Sequence, residues 1–500
     1  MTKRIMISVL LILTFLIPSA SAMVGEEFYC IWLELEAFDP IIEQNKDLTM
    51  KGVIRSNGFI DRVEAVLYDL RLLRTEKTWI WTPQDAEGVE ELSLKKLVYA
   101  ITKDISAGEK RLTITAEGRG NTFYLFDQEL YKCGSRGPLA NISAQCIFSC
   151  SDRRREIWYD NDSEHRWISK GAEDVLTITL PEGVCGEGFL VEWFRTPDSA
   201  DICFYAQDGT STGEQHYTGS SFMPVISWFD IPEGTRTVTM SAPGAQVEEL
   251  LVFEQGKVPS MVQKWHETSE KWDLMLVSTH QDDELLFFGG TIPWYTAMGR
   301  EVGVVYMTNC GHIRYKEALR GLWSCGLTNY PVFLGLHDGH VESRKAAFES
   351  WGGEERLISM LVEQIRRFKP EVVITHDFKG EYGHKQHIAS AYAVAQAVEA
   401  AADPEQYPDS AEKWGAWQAK KLYIHLWSEG EVRLDWDEKV PASGGLTAMQ
   451  IARRAFDKHR SQQRNVGFSL GYKYPNWQFG LYSTSVGPDE ARTDLFEHIY

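Results

Sequence analysis

Residues 273–288 read DLMLVSTHQDDELLFF and contain the pattern on which the interpretation of this chain depends. The apolar residues 274–277 predict a short buried strand, and the apolar run from 285 can begin a helix. Between these two runs stand His280, Asp282, Asp283 and Glu284. The four groups therefore follow the carboxyl end of a strand, where open α/β sheets bind their ligands. A histidine beside an acid pair is typical of a metal site, although the acids would also suit a solvated helix amino terminus.

A second cluster of the same kind follows a later predicted strand. Residues 371–387 read EVVITHDFKGEYGHKQH and lead into an alanine-rich helix. His384 and His387 lie three positions apart at the start of that helix, so they can share a face. Because both clusters follow strands of one predicted sheet, His280 and Asp283 can converge with His387. Three nitrogen and oxygen ligands with room for water are the open arrangement of a catalytic zinc site.

Strands alternate with helices across residues 261–500, and this predicts an α/β domain built on a mostly parallel sheet. The pattern begins with a short amphipathic helix predicted over 262–271. The preceding chain has short alternating strands separated by turn residues, in two blocks at 23–140 and 141–260. We therefore predict a multidomain protein with two all-β sandwich domains before the α/β domain.

Each β block resembles a known kind of module. The first block, with its short strands and intervening turns, resembles the small immunoglobulin-like modules of secreted bacterial proteins. The second block resembles a discoidin or galactose-binding jelly roll, because residues 159–162 (YDND) stand before Arg166 and Trp167. That resemblance implies carbohydrate binding. A structural sandwich that supports the next domain is the alternative.

The amino terminus has the features of an export signal. Lys3 and Arg4 precede an apolar run at 5–17, and residues 20–22 (ASA) resemble a cleavage site, so residues 1–22 are predicted to be removed. The mature protein is then expected to be secreted or held at the cell surface. The sequence shows no second apolar run of membrane-spanning length. An uncleaved form tethered to the membrane is the alternative.

The net charge excludes one kind of partner, and the cysteine content raises the question of disulfide bonds. A net charge of −20 argues against nucleic acid as a partner. Export would permit disulfides among the eight cysteines. The pairs Cys146/Cys150 and Cys185/Cys203 are candidates for bridges, and buried free thiols are the alternative.

At its two polar clusters the chain resembles the PIG-L/LmbE-like deacetylases. Residues 280–284 (HQDDE) and 383–387 (GHKQH) are similar to the family patterns H-P-D-D-E and G-H-x-D-H. The likeness covers about residues 270–500. It implies a Rossmann-like fold and a zinc-dependent N-deacetylase whose substrate is an N-acetylglucosamine-type sugar or glycoconjugate. One zinc ion is the implied cofactor.

The resemblance also implies a metal set and a catalytic base. The implied metal ligands are His280, Asp283 and His387, and Asp282 matches the general base of the family. Zinc lowers the pKa of a bound water toward about 7, so a carboxylate beside it can take the proton. Glu284 would accept hydrogen bonds behind the ligands and would not bind the metal itself.

Four further residues match positions that meet the substrate in relatives. His384, as a cation, would stabilise the oxyanion of the tetrahedral intermediate, and Tyr382 would polarise the acetamide carbonyl. Arg314 and Asp338 match positions that hold substrate hydroxyls. A plain surface ion pair is the alternative for Arg314.

Two positions depart from the family pattern. Gln281 replaces a proline between the ligands and should be tolerated. Gln386 replaces the acid before His387, and its loss is expected to alter the pKa of His384 or to slow the reaction. A surface glycan-binding protein with a catalytically weakened last domain is therefore the alternative function. An amidase that acts on a thiol–sugar conjugate is a third hypothesis.

Overall fold

A computed structural model describes residues 31–499, except for 39–40, 43–46, 70–73, 84–88, 104, 133–140, 151–165, 257, 442, 444 and 464–465. The predicted export signal and the YDND segment lie outside the described residues. Within the described part of the chain, no helix has both the length and the apolar character needed to cross a bilayer.

The amino-terminal block is built from two sheets around one apolar core. Its strands are β1 (Ile31–Phe38), β2 (Ile41–Ile42), β3 (Met50–Ile60), β4 (Arg62–Asp69), β5 (Arg74–Trp81), β6 (Val89–Ser93), β7 (Gly108–Gly118) and β8 (Asn121–Lys132). The sheets have the orders β1-β3-β6 and β2-β8-β7-β4-β5. Buried and accessible residues alternate along β3 and β7, so each strand turns one face to the core. Helix α1 (Lys95–Thr102) adds buried side chains to that core, so this block is not all-β as predicted.

The second block is a pair of antiparallel sheets. Its strands are β9 (Ile147–Ser149), β10 (Trp167–Ile168), β11 (Val175–Thr179), β12 (Gly186–Arg195), β13 (Ala200–Tyr205), β14 (Ser211–Tyr217), β15 (Ile226–Asp230), β16 (Thr237–Ser241) and β17 (Gln246–Glu254). The sheets have the orders β10-β17-β12-β15 and β14-β13-β16-β11-β9. Cys146, Cys185 and Cys203 are free thiols, so neither candidate bridge is formed.

The third region is an α/β domain with helices on both faces of one sheet. Its strands are β18 (Leu274–Ser278), β19 (Val302–Asn309), β20 (Val332–His337), β21 (Val372–Thr375), β22 (Lys421–His425), β23 (Glu431–Arg433) and β24 (Gln478–Thr484). Its helices are α2 (Asp283–Leu286), α3 (Thr291–Ala297), α4 (His312–Ser324), α5 (Arg344–Ser350), α6 (Glu354–Phe368), α7 (Lys385–Ala402), α8 (Pro408–Trp414), α9 (Ala448–Phe456) and α10 (Leu470–Lys473). Two apolar cores, one on each face of the sheet, hold these layers together.

The sheet order is β20-β19-β18-β21-β22-β24-β23. The strands from β20 to β22 run parallel, and β24 and β23 form an antiparallel edge. The chain moves outward from β18 through β19 and β20, and then returns to the other side of β18 with β21. Parallel sheets open a crevice at such a reversal, outside the carboxyl ends of the two strands.

The helix predicted over 262–271 does not form. Val262 and Trp265 are buried, as an amphipathic helix would require, but the segment is irregular, with an isolated β-bridge between His266 and Asn329. The amide of His266 donates to the carbonyl oxygen of Thr328, and the amide of Tyr330 donates to that of His266. These bonds to a neighbouring segment replace the hydrogen bonds that a short helix would make within itself.

Helix α4 fixes the second β block to the α/β domain. Leu190, Ile226 and Phe253 of that block belong to the same apolar core as Leu319 and Leu322 of α4.

A buried ion cluster lies beside this shared core. Arg320 Nη2 lies 2.7 Å from Glu192 Oε2, and Lys316 Nζ lies 3.2 Å from the same oxygen. Lys316 also pairs with Glu248, which lies 3.0 Å from His312. Charges from the two regions therefore depend on each other for neutralisation.

We expect this cluster to make the free energy of unfolding depend on pH in acid. Burial raises the pKa of Glu192, but the charges of Arg320 and Lys316 outweigh burial and lower it from 4.5 to about 2. The stabilisation is then complete above pH 4.5 and is lost as the pH falls toward about 2, with a total near 3 kcal/mol. The free energies of unfolding of wild type and of Glu192→Gln, measured with denaturant, should therefore differ most above pH 4.5 and approach each other as the pH falls toward about 2. A difference that stays constant over this range would contradict the prediction.

Candidate metal centre and active site

The two polar clusters meet at the reversal in the sheet. His280 lies in the loop after β18, and His387 lies in the first turn of α7, which follows the loop after β21. Because β18 and β21 are neighbouring parallel strands, their carboxyl ends bring these side chains together. The first cluster and the loop around it are buried, as is His387. The structure thus brings together the residues that the sequence predicted as a metal set.

His280, Asp283 and His387 form a compact triangle of donor atoms. His280 Nδ1 lies 3.0 Å from Asp283 Oδ2 and 3.2 Å from His387 Nε2, and the third side, from His387 Nε2 to Asp283 Oδ2, is 3.2 Å. Ligands about 2.0 Å from a tetrahedral zinc ion would be separated by about 3.3 Å. The donor set and its spacing therefore fit one divalent ion with a position left for water.

In the metal-free protein the Asp283 carboxylate attracts protons to the two imidazoles of the triangle. Burial raises the pKa of Asp283, but His387 and His280 outweigh burial and hold it well below its ordinary value. Burial lowers the pKa of both imidazoles, yet the Asp283 carboxylate raises both above the ordinary histidine value. A bound metal would displace these protons, because its ligands must be deprotonated.

A buried carboxylate, Glu381, orients the candidate ligand His387. Its Oε2 accepts from His387 Nδ1 at 2.7 Å and from His376 Nδ1 at 2.9 Å, and its Oε1 accepts from His425 Nδ1 at 2.6 Å. With its hydrogen on Nδ1, His387 presents the lone pair of Nε2 to the metal position. A carboxylate behind a ligating imidazole fixes the tautomer and makes the imidazole a stronger ligand.

His376 lies close to the triangle but is not free to act as a ligand. Its Nε2 is 3.7 Å from Asp283 Oδ2, yet that nitrogen already accepts a hydrogen bond of 2.9 Å from the amide of Thr279. Its other ring nitrogen donates to Glu381. Burial lowers the pKa of His376, which agrees with a neutral ring that bonds on both sides.

Gln386 orients the other candidate imidazole ligand, His280. The amide oxygen of Gln386 lies 2.9 Å from His280 Nε2, and its amide nitrogen donates to the carbonyl oxygen of His337 at 3.0 Å. His280 therefore keeps its hydrogen on Nε2 and turns Nδ1 toward the metal position. The sequence linked Gln386 to His384, but its contact is with His280, and it supplies the acceptor that an acid would have supplied.

We expect Gln386→Leu to weaken zinc binding by about tenfold to a hundredfold, because His280 loses the partner that sets its tautomer. Gln386→Glu retains an acceptor and should bind zinc at least as tightly as wild type. Competition with a chromophoric chelator measures both affinities. Gln396→Leu, on an exposed position of the same helix, is the control. Equal affinity in Gln386→Leu and Gln396→Leu would refute this role.

Asp282 lies beside the metal triangle in a strained backbone conformation. Its φ of 145° is rarely adopted by residues other than glycine, and such strain is found mainly at functional sites. Burial, with Asp283 and Glu284 nearby, raises its pKa to about 7, although Arg314 opposes the shift. A carboxylate with that pKa can both accept and return a proton near neutral pH.

Arg314 and Asp338 are parts of the site. Arg314 Nη2 donates to Asp282 Oδ1 at 2.8 Å and to the carbonyl oxygen of Gln281 at 2.8 Å, so it is not a plain surface ion-pair residue. Asp338 Oδ1 lies 3.5 Å from His280 Nε2, and its Oδ2 lies 3.8 Å from Arg314 Nη1. Arg314 therefore steadies Asp282, and the side chain of Asp338 remains partly exposed to a ligand.

His384 differs from its predicted charge state. Its ring centroid lies 4.3 Å from that of His387 and 4.9 Å from that of His280. Burial, together with these two imidazoles, lowers its pKa to about 2, so the ring is neutral and not a cation. A neutral ring can still donate one hydrogen bond to a developing oxyanion.

Tyr382 stands at the mouth of the site. Its φ of 46° is left-handed, and its ring centroid lies 5.5 Å from that of His384 and 5.7 Å from that of His387. The side chain is half-exposed, with Tyr474 at 6.1 Å on its other side. Burial raises the pKa of Tyr382, so its phenol keeps its proton and can donate a hydrogen bond to a substrate.

Glu381, His376 and His425 were given no role by the sequence. His376 and Glu381 belong to the second cluster, and an acid among imidazoles was a usable signal. His425 is the last residue of β22, the strand next to β21, so its place at the carboxyl edge was also a signal.

Comparison with known proteins identifies relatives of the α/β domain. A family model described as PIG-L: GlcNAc-PI de-N-acetylase matches residues 275–398. A 1D-myo-inositol 2-acetamido-2-deoxy-alpha-D-glucopyranoside deacetylase of Rhodococcus jostii is 34% identical over 180 residues, which are 30% of this chain and 60% of that protein. A protein of the same name from Rhodococcus opacus is 32% identical over 213 residues, 35% of this chain and 71% of that protein. The chain thus spans 60% of the length of the first relative.

Among solved structures, an N,N'-diacetylchitobiose deacetylase from Pyrococcus horikoshii aligns with 42% of this chain and 82% of that chain. The aligned residues are 18% identical, and the TM-score is 0.30.

Proposed function

The chain belongs to the PIG-L family, and from that premise we propose that its α/β domain is a zinc-dependent deacetylase. The substrate would be the N-acetyl amide of an N-acetylglucosamine-type sugar or glycoconjugate. The observation that carries the proposal is the triangle of His280, Asp283 and His387, with the separate carboxylate of Asp282 beside it. Such a set divides metal binding and proton transfer between neighbouring groups.

The residues of the chain would then divide the work of amide hydrolysis. When bound, zinc supplies an acidic water and polarises the acetamide carbonyl. Asp282, held by Arg314, takes the proton of the attacking water and can return it to the leaving amine. His384 and Tyr382 each present a hydrogen-bond donor for the developing negative charge on the carbonyl oxygen. The exposed side of Asp338 accepts hydrogen bonds from sugar hydroxyls.

Two measurements on the purified full chain test the proposal. Metal analysis should find one zinc ion per chain, and acetate should be released from N-acetylglucosamine, its oligomers or its conjugates. A chain that binds no metal, or that releases no acetate from any of these amides, would refute the proposal. Sugar binding without acetate release would instead favour the surface glycan-binding protein. Release confined to thiol–sugar conjugates would favour the third hypothesis.

We further propose that the protein is exported, with the β blocks positioning the α/β domain on a glycan. Residues 1–22 carry the basic, apolar and small-residue segments on which this proposal rests. Amino-terminal sequencing of the extracellular protein should begin near Met23. A chain found wholly inside the cell would refute export.

A further inference from the structure

We propose that an aromatic patch beside the metal centre binds a second sugar ring of the substrate, adjoining the ring that carries the acetamide. The patch consists of Phe378, Tyr392, Trp427 and Tyr482. Because the ligand is named as an oligosaccharide, this inference rests on the proposed function. The patch has no part in the metal site or in the proton transfer described above.

The four rings come from four separate elements and pack against one another. Phe378 is the centre, with ring centroids 4.8 Å from Tyr392, 5.0 Å from Tyr482 and 5.5 Å from Trp427. Trp427 lies 5.7 Å from Tyr482, with the two rings nearly perpendicular. Edge-to-face packing of this kind holds each ring in a fixed orientation. The patch is therefore preorganised.

The chain connects this patch directly to the metal centre. Phe378 is two residues after His376, and Trp427 is two residues after His425. Both of these histidines donate to Glu381, the acceptor that orients the metal ligand. Two residues of extended chain span at most about 7 Å, so the backbone of Phe378 and of Trp427 lies within about 7 Å of these two buried histidines. A substrate held at the metal and extended by one sugar unit could then reach the exposed side of the patch.

The patch is open to solvent where a core cluster would be closed. Tyr482 is 45% exposed and Tyr392 is 37% exposed, although both are large rings in contact with other rings. The guanidinium of Arg344 lies 4.0 Å from the centre of the Tyr392 ring. This contact covers part of Tyr392 and does not involve Tyr482. Aromatic faces carry partial negative charge, so they attract the polarised C–H groups on the flat face of a pyranose ring. The phenol of Tyr482 can also bond to a sugar hydroxyl.

Binding by the inactive Asp282→Asn protein tests the inference without hydrolysis. Calorimetry with N-acetylglucosamine and with its β-1,4-linked trimer compares one sugar ring with three. We expect Tyr482→Ala, added to that protein, to weaken trimer binding by about tenfold and to leave monomer binding unchanged. Tyr482→Phe should retain most of the trimer affinity. Tyr99→Ala, at a 58% exposed tyrosine on α1 of the amino-terminal block, is the matched control.

Three outcomes of the binding experiment would decide against the patch. If Tyr482→Ala leaves trimer binding intact, or weakens monomer and trimer equally, no second ring contacts it. If neither sugar binds the parent protein, the named ligand is wrong. Acetate release by the wild type is measured separately. Release with no dependence of binding on Tyr482 would overturn this inference alone, and absence of release would overturn the proposed function alone.

Discussion

Asp282→Asn should lower kcat for acetate release by about a thousandfold and leave zinc bound, because the amide cannot take a proton from water. The substitution is nearly isosteric. The amide oxygen can still accept from Arg314, and the ligand Asp283 is unchanged. Acetate release at saturating substrate, with zinc content measured on the same sample, gives the result. The loss should be in kcat and not in KM, since the proton is transferred during the chemical step.

Asp409→Asn makes the same chemical change at an exposed position and should behave as wild type. An Asp282→Asn protein that has lost its zinc would show that this carboxylate holds the metal. Undiminished activity with zinc bound would show that another group takes the proton. Either result would contradict the division of roles between Asp282 and Asp283.

Glu381→Ala should destabilise the metal-free protein by about 3–5 kcal/mol, because three imidazoles lose their common acceptor in a buried site. The charge matters as well as the hydrogen bonds. Burial raises the pKa of Glu381, but the neighbouring histidines outweigh burial and hold it well below the ordinary value. Denaturant unfolding without metal measures the loss. Zinc affinity should also fall by about tenfold to a hundredfold, because His387 loses its orientation.

Glu381→Gln provides a milder test in case the alanine variant does not fold. If its amide oxygen accepts from His376 and His387, its amide nitrogen faces the N–H group of His425, and two donors then meet. It should therefore lie between wild type and Glu381→Ala in stability. Glu342→Ala, at a side chain that is 88% exposed, is the control and should change nothing. Wild-type stability in both Glu381 variants would show that this carboxylate does not support the site.

The metal triangle could be predicted from the sequence because it depends on two local signals and one general rule. Each cluster follows a short apolar run, and parallel strands of one sheet end at the same edge. The sequence could not give the order of the strands, so the contact between β21 and β22 was not foreseen. For that reason His425 and the role of Glu381 were missed.

The other differences between the sequence-based predictions and the structure arise from tertiary contacts, which local sequence patterns do not specify. The segment 262–271 has the spacing of a helix, but its hydrogen bonds go to residues 328–330. The lowered pKa of His384 depends on burial and on two imidazoles, of which His280 comes from the loop after another strand. The side chain of Gln386 contacts His280, in the loop after β18, and not the nearby His384. The helical periodicity of the sequence does not specify which of the two histidines it contacts.

The apolar core and the ion cluster that α4 shares with the second β block determine where the chain can be cut to make a gene fusion. A fragment that begins at residue 261 would uncover the apolar surface that meets Leu190 and Phe253, and it would leave Lys316 without its carboxylates. Such a fragment should aggregate. We therefore expect the second β block and the α/β domain to keep their fold in a fusion only when they are transplanted together.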